Sequence, residues 1–557
     1  MPPLHLTIET VLSVRNAQRF SSAAVGALVW ALASAACSDD RASPPGLLVD
    51  GDAGRPFVPP AVEASAPDAP NDAAKDARAE HDAADAALEA MLLAFWTGDR
   101  SYLRVDRDPA SALTGYWIFA QALDAIVDGV ARTGGRYAGL IETFYLAQDA
   151  IGWTRDFYDD ESWMALALLR AFDLTGKQAY LARAESLFTD IMTTADDASC
   201  CGAVKGGLWW DRPHTQKATA SNAGAVVTAV RLFQRTNKPE YLAFAKRVWK
   251  FWDDNMVDKT SHRVFDHVKA PGGEVVNYKF TYNEGIMIGA SLALYDATKE
   301  HSYVDEAHAI AGYLVADETI ATPSGKVLFD GAEAACTGDC PQFKGIGYRW
   351  LAALHALEPR PAYRDVLQAS AKSLVGTARD PASGLFGVDW SKAPGKLLVE
   401  SSIAASSALS IFAAQTGPYA KKLDPTAFEA EEGVLHGVGL EARYAGFGGW
   451  GYVAGWSKDA QWVDFHVKVL PGTYVLGFRY AAAAGDANRL VFVNGQDVIA
   501  NRSFPATGGW DNWVTIDVPV TLPAESTVSL IFNASKGSKG FLNLDRLTVT
   551  KVMPAAP

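Results

Sequence analysis

Asp159 and Asp160 stand side by side just ahead of an almost wholly apolar run, Trp163 to Leu169. A helix that is apolar on every side is a buried one. Acids at its start therefore either cap its first N–H groups or face a cleft. One Asp satisfies the cap and the positive end of the helix dipole. The second, with Asp156 and Glu161 close by in sequence, adds like-charge repulsion for no structural gain. Such repulsion keeps one carboxyl protonated beside an ionised neighbour, which is the acid and carboxylate pair that glycoside hydrolysis uses. A retaining glycosidase needs its carboxyl groups roughly 5–5.5 Å apart, whereas consecutive residues in a regular helix point about 100° apart. The pair is therefore expected where the helix begins and the dihedrals are irregular.

The elements that must position this pair repeat. Tyr180-Leu-Ala-Arg-Ala184, Tyr241-Leu-Ala-Phe-Ala245 and Tyr303-Val-Asp-Glu-Ala307 recur 61 and 62 residues apart, and Tyr363 follows 60 later. Each opens an amphipathic stripe, such as Leu181, Ala184, Leu187, Phe188 and Ile191. Each follows a more uniformly apolar helix: Trp163–Phe172, Ala223–Phe233, Gly285–Tyr295 and Ile346–Ala356. With further helices at Ala86–Trp96, Tyr116–Arg132 and Ser401–Gln415, the count reaches eleven or twelve. A period near 60 with one buried and one half-exposed helix means stacked helical hairpins. Six hairpins close into a toroid, so residues 82–422 are expected to form an all-α (α/α)6 barrel with the apolar helices inside.

In such a ring the loops entering the inner helices gather at one end. Asp159 and Asp160 then share a rim with Ser221-Asn222, Tyr282-Asn283-Glu284 and Phe343-Lys344, and the repeat puts Ser221 and Asn283 in register with Asp160. Gly206-Gly-Leu-Trp-Trp-Asp211 feeds the same rim. Core packing is the ordinary fate of a single Trp, but Trp209 and Trp210 in a Gly-flanked loop suit a sugar platform, with Asn222, Tyr282, Asn283 and Lys344 as further substrate contacts. From Pro425 the period changes to two. Residues 425–552 read as an antiparallel β-sandwich with a hairpin turn at Asn494-Gly495.

Residues 1–37 read as a signal peptide: Arg15 and Arg19, an apolar run from Ala23 to Leu32, then small residues before Cys37. That end is similar to a lipobox, with Ser34 where Leu is usual, so lipidation of Cys37 and plain secretion both stay open. Residues 38–81, rich in Ala, Asp and Pro, read as a disordered linker. The protein is expected outside the bacterial cytoplasm, extracellular or on the outer-membrane surface, as a monomer. The other four of the five Cys are Cys200, Cys201, Cys336 and Cys340. They lack zinc-site spacing and suit disulfides of unassigned pairing. A net charge of −14 argues against nucleic acid or an anionic membrane as partner. No His-Glu-x-x-His motif or phosphate loop stands out, so no catalytic cofactor is expected.

Tyr158-Asp-Asp-Glu-Ser-Trp-Met-Ala-Leu-Ala, Gly206-Gly-Leu-Trp-Trp, Ala218-Thr-Ala-Ser-Asn222, Thr281-Tyr-Asn-Glu-Gly285 and Phe343-Lys-Gly-Ile together resemble glycoside hydrolase family 76, the α-1,6-mannanases. The resemblance implies a retaining endo-mannanase acting on a polysaccharide, with Asp159 as nucleophile and Asp160 as acid/base. Transglycosylation within the same family and a non-catalytic glycan-binding surface protein are the alternatives. Helical enzymes acting on acidic sugars would carry Arg and His at the rim, where His214 is the one well-placed His. Phe428-Glu-Ala-Glu-Glu, Gly451-Tyr-Val-Ala-Gly-Trp456, Thr507-Gly-Gly-Trp-Asp511 and Leu542-Asn-Leu-Asp545 resemble carbohydrate-binding modules of families 6 and 35. That resemblance implies a structural Ca²⁺ on Glu429, Glu431 and Asp545, and a sugar site of Tyr452, Trp510 and Asn543.

Overall fold

A computed structural model describes residues 71–98 and 102–552. The signal, lipobox and Cys37 readings, and most of the linker, lie outside the described residues. Six inner helices of 18 residues each form the ring: α2 (Tyr116–Thr133), α4 (Tyr158–Thr175), α6 (Thr219–Thr236), α8 (Thr281–Thr298), α10 (Cys340–Leu357) and α12 (Val399–Thr416). Each packs on the next, and α12 returns to α2, so the ring is closed. Around it lie α1 (Asn71–Phe95), α3 (Ala138–Asp149), α5 (Gln178–Asp190), α7 (Pro239–Met256), α9 (Ser302–Asp317) and α11 (Pro361–Ser373).

The repeating Tyr is the physical signature of the outer layer. Tyr180, Tyr241, Tyr303 and Tyr363 sit in the first turns of α5, α7, α9 and α11 and are all buried. α3 has Leu140 in that place, which is why the repeat does not announce it. α1 begins at Asn71, ten residues before the expected end of the linker. The Ala-rich stretch there is strong helix former rather than tether.

Close approach between inner helices relies on small residues. A Cβ added at Gly285 of α8 would come within 2.8 Å of Gly347 Cα in α10. A buried ion-pair node ties four of the six. Asp128 of α2, 6% exposed, accepts from Arg349 of α10 at 2.8 and 2.5 Å and from Arg170 of α4 at 2.5 Å, and Arg349 also reaches Ser407 of α12. Burial opposes the charge on Asp128, but the two guanidiniums outweigh it and hold the carboxyl below its usual range.

Short strands line the ends of the ring: β1 (Gln216–Ala218), β2 (His267–Lys269) and β3 (Glu274–Val276) form one antiparallel sheet, and β4 (Thr319–Thr322) pairs with β5 (Gly325–Leu328). The disulfides are Cys200–Cys201 and Cys336–Cys340, each within its own group.

The C-terminal part has two antiparallel sheets. One runs β13 (Gln496–Phe504), β12 (Ala487–Val493), β15 (Glu525–Phe532), β10 (Gln461–Lys468), β7 (Val434–His436). The other runs β14 (Val514–Leu522), β11 (Gly472–Ala481), β16 (Asn543–Lys551), β9 (Tyr452–Ala454), β8 (Gly439–Glu441), with β6 (Ala427–Glu429) also on β16. β10 alternates buried and outward residues along its whole length. The expected hairpin joins β12 to β13, with Asn494 and Gly495 both at positive φ. The sandwich abuts α3, where Leu435 N–H donates to Thr143 Oγ1 at 2.8 Å and Arg136 pairs with Glu432 at 2.6 Å.

Asp128→Ala removes the buried acid that Arg170 and Arg349 share and leaves them both to Asp124. It is expected to cost about 3–5 kcal/mol in chemical denaturation near neutral pH. The native pairing depresses the pKa of Asp128, so its contribution is present above the ordinary carboxylate range and is lost as pH falls. The difference from wild type should shrink on acidification.

Candidate active site

The carboxylate pair occupies the first turn of α4, with Phe157 as the extended residue before it. Both acids are therefore helical, and the irregular dihedrals expected for them are absent. Their side chains instead diverge around the helix. Asp159 faces the loop before α6, where Trp210 Nε1 donates to its Oδ2 at 3.1 Å, while its buried Oδ1 has no partner among the described residues. Asp160 faces the α2 side, near Arg155 and Tyr116.

Both acids hold protons unusually tightly. Asp159 is pushed up to about 7, chiefly by burial and further by the charge of Asp339, against the Trp210 bond that lowers it. Asp160 lies well above the carboxylate range, first through burial and then through the charges of Asp159, Asp339 and Glu161. Desolvation thus outranks the neighbour's repulsion, reversing the weight that the adjacent charges alone suggested.

The third residue of each inner helix aligns as the repeat requires: Asp160, Ser221 and Asn283, with Gln342 in α10. The fourth residue has a different job. Glu161 Oε1 accepts from Arg155 N at 2.8 Å, Asn222 Oδ1 from Leu208 N at 2.8 Å and Glu284 Oε1 from Val264 N at 2.9 Å. Each clasps the loop that enters its own helix. Asn222, fully buried, also donates to Leu208 O at 3.1 Å and Ala218 O at 2.8 Å. The expected sugar contact at Asn222 does not fit, because its amide is spent on backbone. Asn222 instead holds the loop that presents Trp210.

Other expected contacts also move. Trp209 is 7% exposed, with His214 stacked on it at 4.6 Å and Lys217 Nζ 4.8 Å from its ring centre, so it braces the loop. Trp210 is half-buried and packs on Phe157 at 4.6 Å. Lys344 is sealed, 3.8 Å from Asp330, and burial pulls its pKa down. One helical step turns it away from Phe343, whose ring lies 4.4 Å from that of Tyr282. Tyr282 stays beside the pair, with its hydroxyl donating to Asp266 Oδ2 at 2.8 Å. Asn283 donates to the same oxygen at 3.2 Å, and its buried Oδ1 has no partner among the described residues.

Three acids near the pair escaped the sequence reading. Asp266 gathers Tyr282, Asn283 and His267. Asp339, inside the Cys336–Cys340 loop, takes the indole N–H of Trp117 at 2.8 Å. Glu400, second in α12, is raised to about 7 by burial and by Asp339. Only Asp339 carried a signal, its place immediately before an inner helix.

In the β-sandwich, Tyr452 is fully buried between Phe447 and Trp513, so the sugar stacking expected of it is excluded. Asn543 is also buried. Trp510 is half-buried and lies 6.0 Å from Tyr444, nearly parallel to it. Glu429, Glu431 and Asp545 converge on the Gly448–Gly449 turn. Asp545 pairs there with Arg479 and Glu429 with Arg546, and among the described residues no group of three acids or His stands ready to hold a metal ion. The exception in that cluster is Glu431 Oε2, buried with no partner among the described residues, an acceptor of the kind a hard cation takes.

The family model for glycosyl hydrolase family 76 matches residues 80–423, and that for carbohydrate binding module family 6 matches residues 429–551. A mannan endo-1,6-alpha-mannosidase of Candida glabrata is 25% identical over 265 residues, covering 42% of this chain and 57% of that protein. The chain thus spans about half the length of the curated mannosidases it matches. Among solved structures, an alpha-1,6-mannanase of Salegentibacter sp. is 26% identical, covering 60% of this chain and 98% of that one, with a TM-score of 0.53. The Lin0763 protein of Listeria innocua is 27% identical, covering 60% and 96%, with a TM-score of 0.55.

Asn222→Ala removes two bonds to Leu208, in the loop carrying Trp210, and one to Ala218. A stability loss of about 1–3 kcal/mol is expected in urea unfolding; a loss within error would mean that the loop is held by other contacts.

Proposed function

The chain belongs to glycosyl hydrolase family 76, and from that premise we propose that it is an endo-acting, retaining hydrolase of α-1,6-linked mannan chains. The observation that carries this reading is the pair of raised acids at the mouth of the ring, one of them oriented by Trp210. Asp159, ionised, attacks the anomeric carbon. Asp160 gives its proton to the departing sugar oxygen as that bond breaks. Water then loses a proton to Asp160 and displaces Asp159, which restores both groups. Tyr282 and Phe343 border the pair from α8 and α10 and offer ring faces to the sugar.

The sandwich, matched to carbohydrate binding module family 6, serves as a polysaccharide anchor. Trp510 with Tyr444 is its aromatic face, in place of the buried Tyr452. Export from the cytoplasm, by secretion or through a lipid on Cys37, belongs to the same proposal and is supported by two disulfides within the chain.

Asp160→Asn is expected to lower kcat on linear α-1,6-mannan by about 10²–10⁴-fold, with the fold intact by circular dichroism. Full turnover in that variant would end the assignment, and product analysis with a mannose acceptor separates hydrolysis from chain transfer. Below about pH 7 Asp159 keeps its proton and cannot attack. The acid limb of kcat/KM should therefore fall near 7; an acid limb near 4 would contradict the burial of the pair.

Calcium at Glu429, Glu431 and Asp545 is proposed on the buried, partnerless Glu431 Oε2. Chelation is expected to lower the melting temperature and added Ca²⁺ to restore it. A melting curve indifferent to both would remove the ion from the account.

A further inference from the structure

A cavity of about 260 Å³ lies where α3 meets the sandwich, bordered by Trp96, Leu146, Asp149, His436 and Trp462 among others. It belongs neither to the carboxylate pair nor to the Tyr444–Trp510 edge. We propose that it binds one neutral hexose unit of a glycan, as a second sugar site shared by the two parts of the chain.

Its walls carry the argument. Trp462 presents a half-buried indole, with His436 stacked on it at 3.9 Å and 12°. The imidazole is fixed in turn by Asp464, 2.9 Å from its Nε2. Trp96 is 7% exposed, and its indole N–H has no hydrogen-bond partner among the described residues. Asp149 supplies the opposite polarity. Its Oδ1 takes Trp153 Nε1 at 2.6 Å and Arg183 at 3.3 Å, so its carboxylate is held in place at the rim.

Aromatic and aliphatic walls with a few fixed polar groups describe a small-molecule site. The volume lies below the roughly 300–1,000 Å³ of drug-sized pockets, which suits a single ring. The two carboxylates, Asp149 and Asp464, disfavour an anion. The fixed carboxylate of Asp149 disfavours a wholly apolar guest. A hydroxyl-rich, uncharged ring with one apolar face meets all of these demands. The position suits a glycan as well. Trp96 follows the C-terminal end of α1 and Asp149 closes α3, and residues 150–157 lead directly from there to the carboxylate pair.

The test uses the full chain carrying Asp159→Asn, Asp160→Asn and Trp510→Ala, which silences hydrolysis and the sandwich edge. Its outcome therefore does not depend on the catalytic reading. D-mannose and α-1,6-mannobiose are titrated while the indole N–H resonance of Trp96, assigned through Trp96→Phe, is followed by NMR. A saturable shift in the millimolar range is expected. Leu146→Trp, which fills the cavity without removing a polar group, should weaken binding by at least about tenfold. Asp149→Asn should weaken it with the melting temperature unchanged. No shift at Trp96 with either sugar, or a shift that survives Leu146→Trp in a folded variant, overturns the site and leaves the cavity to water.

Discussion

A ring of helices has a core only if its last member meets its first. Here that closure sets nearly everything else. Six inner helices of equal length converge around one axis, and glycine allows the closest approaches between them. The Gly285–Gly347 approach is one such contact. The Asp128 node is another kind, a polar clasp joining α2, α4, α10 and α12 where small side chains alone would leave choice of register. Once the ring is closed, the starts of all six inner helices lie at one end, and whatever the loops carry is brought together there.

That end is assembled by a device repeated in the chain. In α4, α6 and α8 the fourth residue turns back to hold the incoming loop. Glu161, Asn222 and Glu284 do the holding, through an N–H each at 2.8–2.9 Å. A carboxylate or amide there satisfies a loop donor that would otherwise be buried unpaired. The mouth itself collects Asp159, Asp160, Asp339 and Glu400. Burial, more than mutual repulsion, raises the carboxyls of Asp159, Asp160 and Glu400 above their ordinary range. An acid and a carboxylate can therefore coexist one residue apart on a regular helix, with Asp159 held by Trp210 and Asp160 near Arg155.

The sandwich is packed onto this ring. Leu435 and Glu432 bond to α3 and to the residues just before it. The outer layer of the helical part thus has two tasks, covering the inner ring and seating the β-module. The cavity at that junction owes its walls to both parts, with Trp96 and Leu146 from one and His436 and Trp462 from the other.

The amino-acid sequence by itself determined the helical ring, the layer to which most helices belong and the place of the acid pair. Each of these is periodic or local, as with the Tyr that recurs near every 60 residues and the apolar run after Asp160. It determined the Asn494-Gly495 hairpin for the same reason, since two residues fix that turn. It could not determine which way a side chain points once the loops are folded. Asn222 and Lys344 lie one helical step from rim positions, and that step of about 100° sends them inward. Tyr452 is aromatic like Tyr444, yet only the packing of Phe447 and Trp513 decides which of the two reaches solvent. Asp266 and Asp339 join the mouth from positions far from Asp159 along the chain. Only the closed tertiary structure makes those distances short.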